Sequence, residues 1–413
     1  MTITKLPISP IVAITCALAL CACAKKSDSD KSGENKGQAP DKQAEKPATP
    51  EVNTPTPEAT SPVPPAPENV DPPAAGTYLT YNLGLLSAVG LDRQRLPRII
   101  EAMKETRASV VCLQEVWTEA DYQAISTALK NYYPHSFRHQ TDDTSTYDSA
   151  PCQLSQALAT QKCAGEMCTP KGISLFECMS DENLCKTQYD AFSDDCKLCL
   201  AANTDAATSC AMGTNKAARQ SFGGRNGLVL LSWHEIENPT YTEYETSLVN
   251  RGVLTATIEG RTVQCTHLSA ELDIVPYKKG TFDSWAAEHK AQLPVIDKAG
   301  PDKGCRVLLG DMNTGPKTET LMPEIEQNFP GFAAAGWTET WDAPQCTFCP
   351  DNELTGVETG RFIDHIFFKG CNAKATYEYS RVFDQSITVK NETGEVKTRL
   401  SDHYGVRVEA TGL

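Results

Sequence analysis

From Thr77 onward the chain alternates short apolar runs with amphipathic segments, the pattern of a layered α/β domain. The runs predict strands near residues 78–83, 109–114, 227–232, 252–258, 262–267, 305–310, 362–368 and 404–409. Helical spacing predicts helices over 92–106, 118–130, 283–298 and 318–327, the first with Leu96, Ile99, Ile100 and Met103 on one face. Thr118 followed by Asp121 has the spacing of a capping box at the start of the second. Between Arg138 and Gly223 the regularity stops. That stretch is rich in Cys, Thr, Ser, Asp and Ala without a sustained period, and it reads as an insertion over 140–222.

The chain before Thr77 has another character. Residues 1–22 begin with a charge at Lys5, run through apolar residues from Ile11 to Leu20 and end in small ones, which reads as a secretory signal too short to span a bilayer. Leu20-Cys21-Ala22-Cys23 is similar to a bacterial lipobox, in which Cys23 becomes the lipidated first residue. The alternative is an ordinary signal peptide cut near Ala22 or Ala24, because Cys21 is unusual at its place. Residues 24–76 hold eleven prolines and fifteen Lys, Asp or Glu, with almost no large apolar side chain. Such a segment buries too little surface to offset its ordering entropy, so 23–76 is expected to be a disordered tether, extended in its Pro-rich half. The folded domain is then 77–413, and attachment to a bacterial cell membrane, on the outer membrane or the periplasmic or cell surface, comes through the N-terminal lipid.

Fourteen of the seventeen cysteines follow the leader, a usage that fits an oxidising compartment. Eight of them (Cys152, Cys163, Cys168, Cys178, Cys185, Cys196, Cys199 and Cys210) crowd the insertion and suggest up to four disulfides, whose pairing stays open. A zinc site on Cys163, Cys168, Cys196 and Cys199 is the other reading; export and the lack of any His between Cys152 and Cys210 weigh against it. The insertion is too poor in large apolar residues to fold without cross-links. Cys346 and Cys349 read as a local disulfide that stiffens their loop. The net charge is −15, of which residues 77–413 carry −13. That balance argues against high affinity for nucleic acid and leaves room only for a nuclease with a local basic groove.

Polar residues recur where apolar strands end: Asn82, Gln114-Glu115, Thr266-His267 and Gly310-Asp311-Met312-Asn313. In layered α/β proteins such ends converge on one rim, where ligand sites gather. Glu115 and Asp311 directly follow apolar runs, a costly placement for a charge that has no cation beside it. Asn82, Glu115, Asp311, Asn313 and Asp402 offer hard oxygen ligands and no thiolate, which favours magnesium, with manganese or calcium as alternatives, over zinc. His267 and His403 remain for proton chemistry.

Taken in order, the Asn82 strand, Gln114-Glu115, Thr266-His267, Gly310-Asp311-Met312-Asn313, Phe362-Ile363-Asp364-His365-Ile366 and Ser401-Asp402-His403 resemble the blocks of the endonuclease/exonuclease/phosphatase superfamily. The resemblance covers about 77–138 and 223–413. It implies the deoxyribonuclease I-like fold, an α/β (α+β) four-layer sandwich of two mixed β-sheets flanked by helices, here with a disulfide-rich insertion. It also implies roles. Glu115, with Asn82 and Asp402, holds the metal; His403 is the base that takes a proton from water, oriented by Asp364; Asp311 and Asn313 orient water and phosphate; His267 stabilises the pentacoordinate phosphate or helps the leaving oxygen depart. Arg251 and Asn226 are candidates for phosphate contact, Arg251 standing where similar sphingomyelinases tend to have Lys.

Several blocks are similar to neutral sphingomyelinases: Glu115-Val116-Trp117-Thr118-Glu119-Ala120-Asp121-Tyr122, Thr266 to Glu271, and Thr340-Trp341-Asp342 followed by Asn352 and Leu354. The expected activity is therefore that of an exported, magnesium-dependent phosphodiesterase acting on a phospholipid headgroup more than on nucleic acid, with no protein partner inferable. The alternatives are an extracellular deoxyribonuclease I-like nuclease and a non-catalytic surface binding protein. Trp117 either packs on a lipid headgroup or fills the core. The exposed aromatic hairpin of haemolytic sphingomyelinases has no counterpart, and Phe282 and Trp285 are expected to be buried.

Overall fold

The computed structural model describes residues 70–413 apart from 87, 141–144, 169–174, 204–207, 213–216, 273, 279, 342 and 392–393. The expected leader, the lipidated Cys23, nearly all of the tether and Asp342 lie outside the described residues. All eight expected strands are present: β1 (Thr77–Asn82), β2 (Val110–Gln114), β4 (Val229–Ser232), β6 (Gly252–Ile258), β7 (Arg261–His267), β8 (Arg306–Asp311), β9 (Asp364–Lys369) and β13 (Gly405–Thr411). Five more join them: β3 (His135–Phe137), β5 (Glu237–Glu243), β10 (Thr376–Val382), β11 (Ser386–Asn391) and β12 (Gly394–Arg399). The six-stranded sheet has the order β10-β13-β1-β2-β4-β3, the five-stranded sheet the order β5-β6-β7-β8-β9, and β11 and β12 form a separate hairpin.

Both sheets are mixed, with β1 parallel to β2 and β7 parallel to β8 among antiparallel neighbours. They pack face to face through Tyr78, Val110, Leu230, Val263, Val307, Leu309, Ile366 and Val408. The outer face of the first sheet is covered by α1 (Asp92–Thr106), whose Leu96, Ile99, Ile100 and Met103 meet Leu79 and Tyr81. The outer face of the second sheet carries Val253, Leu308 and Phe367 against α8 (Trp285–Lys298) and α9 (Pro330–Ala334). The result is four layers. Central strands such as β1, β2 and β8 are buried on both faces, which is why they read as unbroken apolar runs. Thr118 caps α2 (Glu119–Ala128) by accepting the Asp121 N–H.

The expected helix over 318–327 does not form. Pro323 disfavours the α region for Met322 and can donate no N–H, and the segment makes a turn, a bridge from Leu321 to Gly360 and one short 3-10 turn over Glu326–Asn328. Of the strands missed from sequence, β5 and β10 are mostly exposed or half-exposed and carry no apolar run.

Between β3 and β4 the chain is helical where no period was legible: α3 (Leu154–Met167), α4 (Leu175–Ser180), α5 (Lys186–Asp190), α6 (Asp194–Ala202) and α7 (Thr208–Met212). Most of these are too short to show a period, and their shared core consists largely of sulfur: Cys152, Cys168, Cys178, Cys185, Cys196, Cys199 and Cys210, with Met179, Tyr189 and Phe192. All eight cysteines pair among themselves, as Cys152–Cys196, Cys163–Cys185, Cys168–Cys178 and Cys199–Cys210. A bridge of this kind contributes roughly 2–4 kcal/mol, which is large beside the small apolar core available here. Reduction should therefore open residues 152–210 to protease before the rest of the chain. Limited proteolysis with and without dithiol checks this; a cleavage pattern unchanged by reduction would count against it. Trp285 is buried as expected, and Phe282 is half-exposed.

Candidate active site

The two sheets bring together strand ends far apart in sequence. Cys112 of β2, three residues before Glu115, is joined to Cys265 of β7, two residues before His267, by a buried disulfide across the sandwich. A covalent bond thus fixes the spacing of the two rims of the cleft. Glu115 and Asn313 both have left-handed backbone, φ 61° and 47°, a conformation costly for non-glycine residues. Strain of this kind collects where a side chain must be turned toward a site.

Asn82 lies at the centre. Its Nδ2 donates to Glu115 Oε1 at 3.1 Å and to Asp311 Oδ2 at 3.0 Å, and lies 3.5 Å from His403 Nε2; its Oδ1 accepts the Gly84 N–H at 3.0 Å. It thus presents nitrogen, not oxygen, to the carboxylates. A Cβ on Gly84 would fall 2.3 Å from Asp402 Oδ1, so only glycine lets this carboxylate approach the Asn82 turn. Burial, reinforced by the facing Asp402 charge, raises the Glu115 carboxyl to about 7. These two acids repel each other and call for a cation between them.

The two histidines are set in opposite ways. Burial and then the Arg251 guanidinium pull His267 down to about 4 against the pull of Asp311. Arg251 Nη1 donates to His267 Nδ1 at 2.5 Å, so the neutral ring carries its proton on Nε2, which points at Asp311 Oδ2 3.3 Å away. His403 donates from Nδ1 to Asp364 Oδ2 at 2.8 Å, with Nε2 3.8 Å from Asp311. Burial would lower it, but the Asp364 and Asp311 carboxylates outweigh burial and hold His403 well above its ordinary value. For Asp311 burial acts upward and is overcome by His267, His403 and the Asn82 amide, so the carboxyl stays well below the usual range. The other buried histidines are engaged structurally: His289 with Met312 O and Asn328, His365 with Glu339 and Thr314 O.

Asn313 donates its side-chain amide to Leu268 O at 2.8 Å, and its backbone N–H to Asp311 Oδ1 at 2.9 Å, which ties it to the His267 strand end. Arg251 is buried beside the Trp117 ring, and its Nε has no hydrogen-bond partner. Asn226 is taken up by the turn before β4, donating to His139 O and accepting the Leu228 N–H. Trp117 is buried, stacked on Phe222 at 3.9 Å, and therefore fills the core. Cys346 and Cys349 form the expected local disulfide, which takes their sulfurs out of any metal site.

One positioning residue escaped the sequence, and a second, Asn352, stood out there only for its resemblance to neutral sphingomyelinases. Arg95 is fully buried and donates to the carbonyls of Gly90, Leu83, Gly84 and Leu400, tying the loop after β1 to the segment that leads into Asp402 and His403. Its place on the buried helical face one turn before Ile99 was the signal available. Asn352 donates to the carbonyls of Ser401 and Asp402 from the other side.

Asp311, Asp364 and His403 offer ligand atoms within 4.8 Å of one another. The His403 Nδ1–Asp364 hydrogen bond already engages that pair, so the carboxylates of Glu115 and Asp402, each on a partly exposed residue, are the better match to a hard divalent cation. The oxygen-only donor set and the repulsion between the two acids both fit a hard divalent cation such as magnesium.

Residues 79–403 match the Endonuclease/Exonuclease/phosphatase family, a span that holds every residue of this cleft, and the chain belongs to that family. Its members are hydrolases acting on phosphodiester bonds. Among solved structures, a Staphylococcus aureus beta toxin variant with bound magnesium ions is 14% identical with a TM-score of 0.50, the match covering 81% of this chain and 98% of that one. Sphingomyelinase C from Streptomyces griseocarneus is 16% identical at a TM-score of 0.48, covering 80% and 98%. Truncated Caenorhabditis elegans TDP2 is 12% identical at 0.42, covering 80% and 95%. No curated relative matches the chain.

Proposed function

We propose that the protein is a magnesium-dependent phosphodiesterase that hydrolyses a phospholipid headgroup in the manner of a sphingomyelinase. The observation that carries this is the meeting of Glu115, Asn82, Asp311, His267, His403 and Asp364 in one cleft, with the proton affinity of His267 pulled down and that of His403 pushed up by their surroundings.

Glu115 and Asp402 would hold the cation, with the Asn82 amide nitrogen orienting the Glu115 carboxylate beside it. Bound there, magnesium would stabilise charge growing on the phosphate oxygens, and its positive charge would oppose the upward pull of the carboxylates on His403. His403 Nε2 then accepts a proton from the attacking water, while Asp364 fixes the Nδ1–H tautomer and stabilises the imidazolium that forms. Asp311 and Asn313 orient water and phosphate for in-line attack. His267, neutral and protonated on Nε2, donates a hydrogen bond to the pentacoordinate phosphate; with its pKa near 4 it is a poor source of a full proton. Arg251 contributes positive charge and fixes the His267 tautomer.

The rim favours a lipid over a nucleic acid. Around the loop beside His403, Arg361 pairs with Glu324, Arg381 with Asp384, and Arg399 with Asp351 and Glu353, so these cations are locally neutralised. No described helix is long and apolar enough to cross a membrane. Lipidation at Cys23 and a tether over 23–76 would hold the exported domain at the bacterial cell surface or outer membrane, and the seven disulfides suit that compartment. A panel of sphingomyelin, phosphatidylcholine, phosphoinositide and DNA, run with magnesium and with chelator, tests the proposal. A choline phospholipid should be cleaved only with the metal. Preference for DNA would move the assignment to a nuclease, and cleavage of none would remove the catalytic reading.

A further inference from the structure

The His403–Asp364 hydrogen bond crosses the sandwich. Asp364 opens β9 in the five-stranded sheet, whereas His403 lies just before β13 in the six-stranded one. No single strand or helix sets their separation. The loop Cys346-Thr347-Phe348-Cys349 lies between the two segments and bonds to both. On one side, the Thr347 and Phe348 N–H groups donate to Arg361 O at 2.8 and 3.0 Å, and the Arg361 N–H returns a bond to Phe348 O at 2.8 Å. On the other, the Tyr404 N–H donates to Thr347 O at 2.7 Å.

The side chains repeat this division. Thr347 Oγ1, fully buried, accepts the N–H groups of both Ile363 and Asp364 at 3.2 Å, using its two acceptor sites on the backbone that carries the carboxylate. The Phe348 ring stands edge-on to the His403 imidazole at 5.0 Å. The disulfide joins residues three apart and holds the two side chains in these opposite directions. Arg381 braces the loop from behind by donating to Cys346 O at 3.2 Å.

We propose that this disulfide-closed loop is a clamp that sets the geometry of the His403–Asp364 pair, with Thr347 the positioning residue for Asp364 and Phe348 the buttress for the His403 ring. Neither residue touches substrate in this role; both act through the pair. The proposal rests on His403 being the base, and its test is chosen to separate the two.

The low-field Nδ1–H resonance of His403, assigned by its loss in His403→Ala, reports the hydrogen bond to Asp364 without any substrate. Thr347→Val keeps the shape and removes the hydroxyl acceptor. It should shift or broaden that resonance and lower kcat by up to about 100-fold, the cost of misplacing a reacting group by about an ångström, with KM and magnesium activation unchanged. Thr347→Ser should restore both the resonance and kcat. The double variant Cys346→Ala/Cys349→Ala should move the resonance in the same direction as Thr347→Val, and it carries the test if Thr347→Val does not fold. A resonance at the wild-type position with wild-type kcat, in Thr347→Val or in the cysteine double variant, overturns the clamp. Full activity in His403→Ala overturns the assignment of the base, while the resonance still decides the clamp.

Discussion

Glu115→Gln should abolish magnesium-dependent hydrolysis and at the same time make the metal-free protein more stable. The side chain keeps its shape and loses the charge on which the cation depends, so activity should fall by at least about 100-fold, more than the 10–100-fold typical of residues that only support a ligand. The stability gain follows from the raised acid. Folded Glu115 titrates near 7 against an ordinary value of 4.5, because burial and the Asp402 charge both disfavour its ionised form. An acid raised on folding binds more protons folded than unfolded. Its ionisation therefore weakens the fold progressively from about pH 4.5 to 7, and the penalty is complete above that. In chelator at pH 8 the variant should exceed wild type by on the order of a few kcal/mol, with the difference shrinking to nothing below about pH 4.5. Denaturant titrations at the two pH values measure this. Equal stabilities at pH 8 would mean that the repulsion is absent, and full activity in the variant would remove Glu115 from the metal site.

His403→Ala should lower kcat by about 10²–10⁴-fold, the usual contribution of a positioned general base, while far-ultraviolet circular dichroism shows the fold intact. The truncation leaves Asp364 buried without its imidazole partner, so that carboxyl should rise further. Imidazole added to the variant should restore part of the rate if the loss is that of a base. Retained kcat in His403→Ala would reject the assignment, and a collapsed circular dichroism spectrum would show the residue to be structural.

Much of the cleft was legible because charge after an apolar strand is expensive. Glu115 after Val110-Val111-Cys112-Leu113, and Asp311 after Val307-Leu308-Leu309, stood out for that reason, and both lie within reach of Asn82. Buried central strands announced themselves by composition, whereas β5 and β10, at the edges, carry mostly polar residues and no apolar run. Arg95 and Thr347 were not legible as site residues. Each acts by hydrogen bonds to backbone from a segment distant in sequence, and nothing local marks such a partner.

By itself, then, the sequence determined which strands would be buried, which chemical groups would end them, and that the cysteines called for cross-linking, because these depend on composition and period along the chain. The tertiary structure decided the rest. It made one histidine neutral and the other a strong proton acceptor by setting Arg251 beside His267 and two carboxylates around His403. It chose the disulfide pairs, turned the Asn82 amide nitrogen toward the acids and brought Asp364 from one sheet to His403 on the other. Protonation state, pairing and orientation depend on distances between residues tens to hundreds of positions apart, and those distances exist only once the layers have packed.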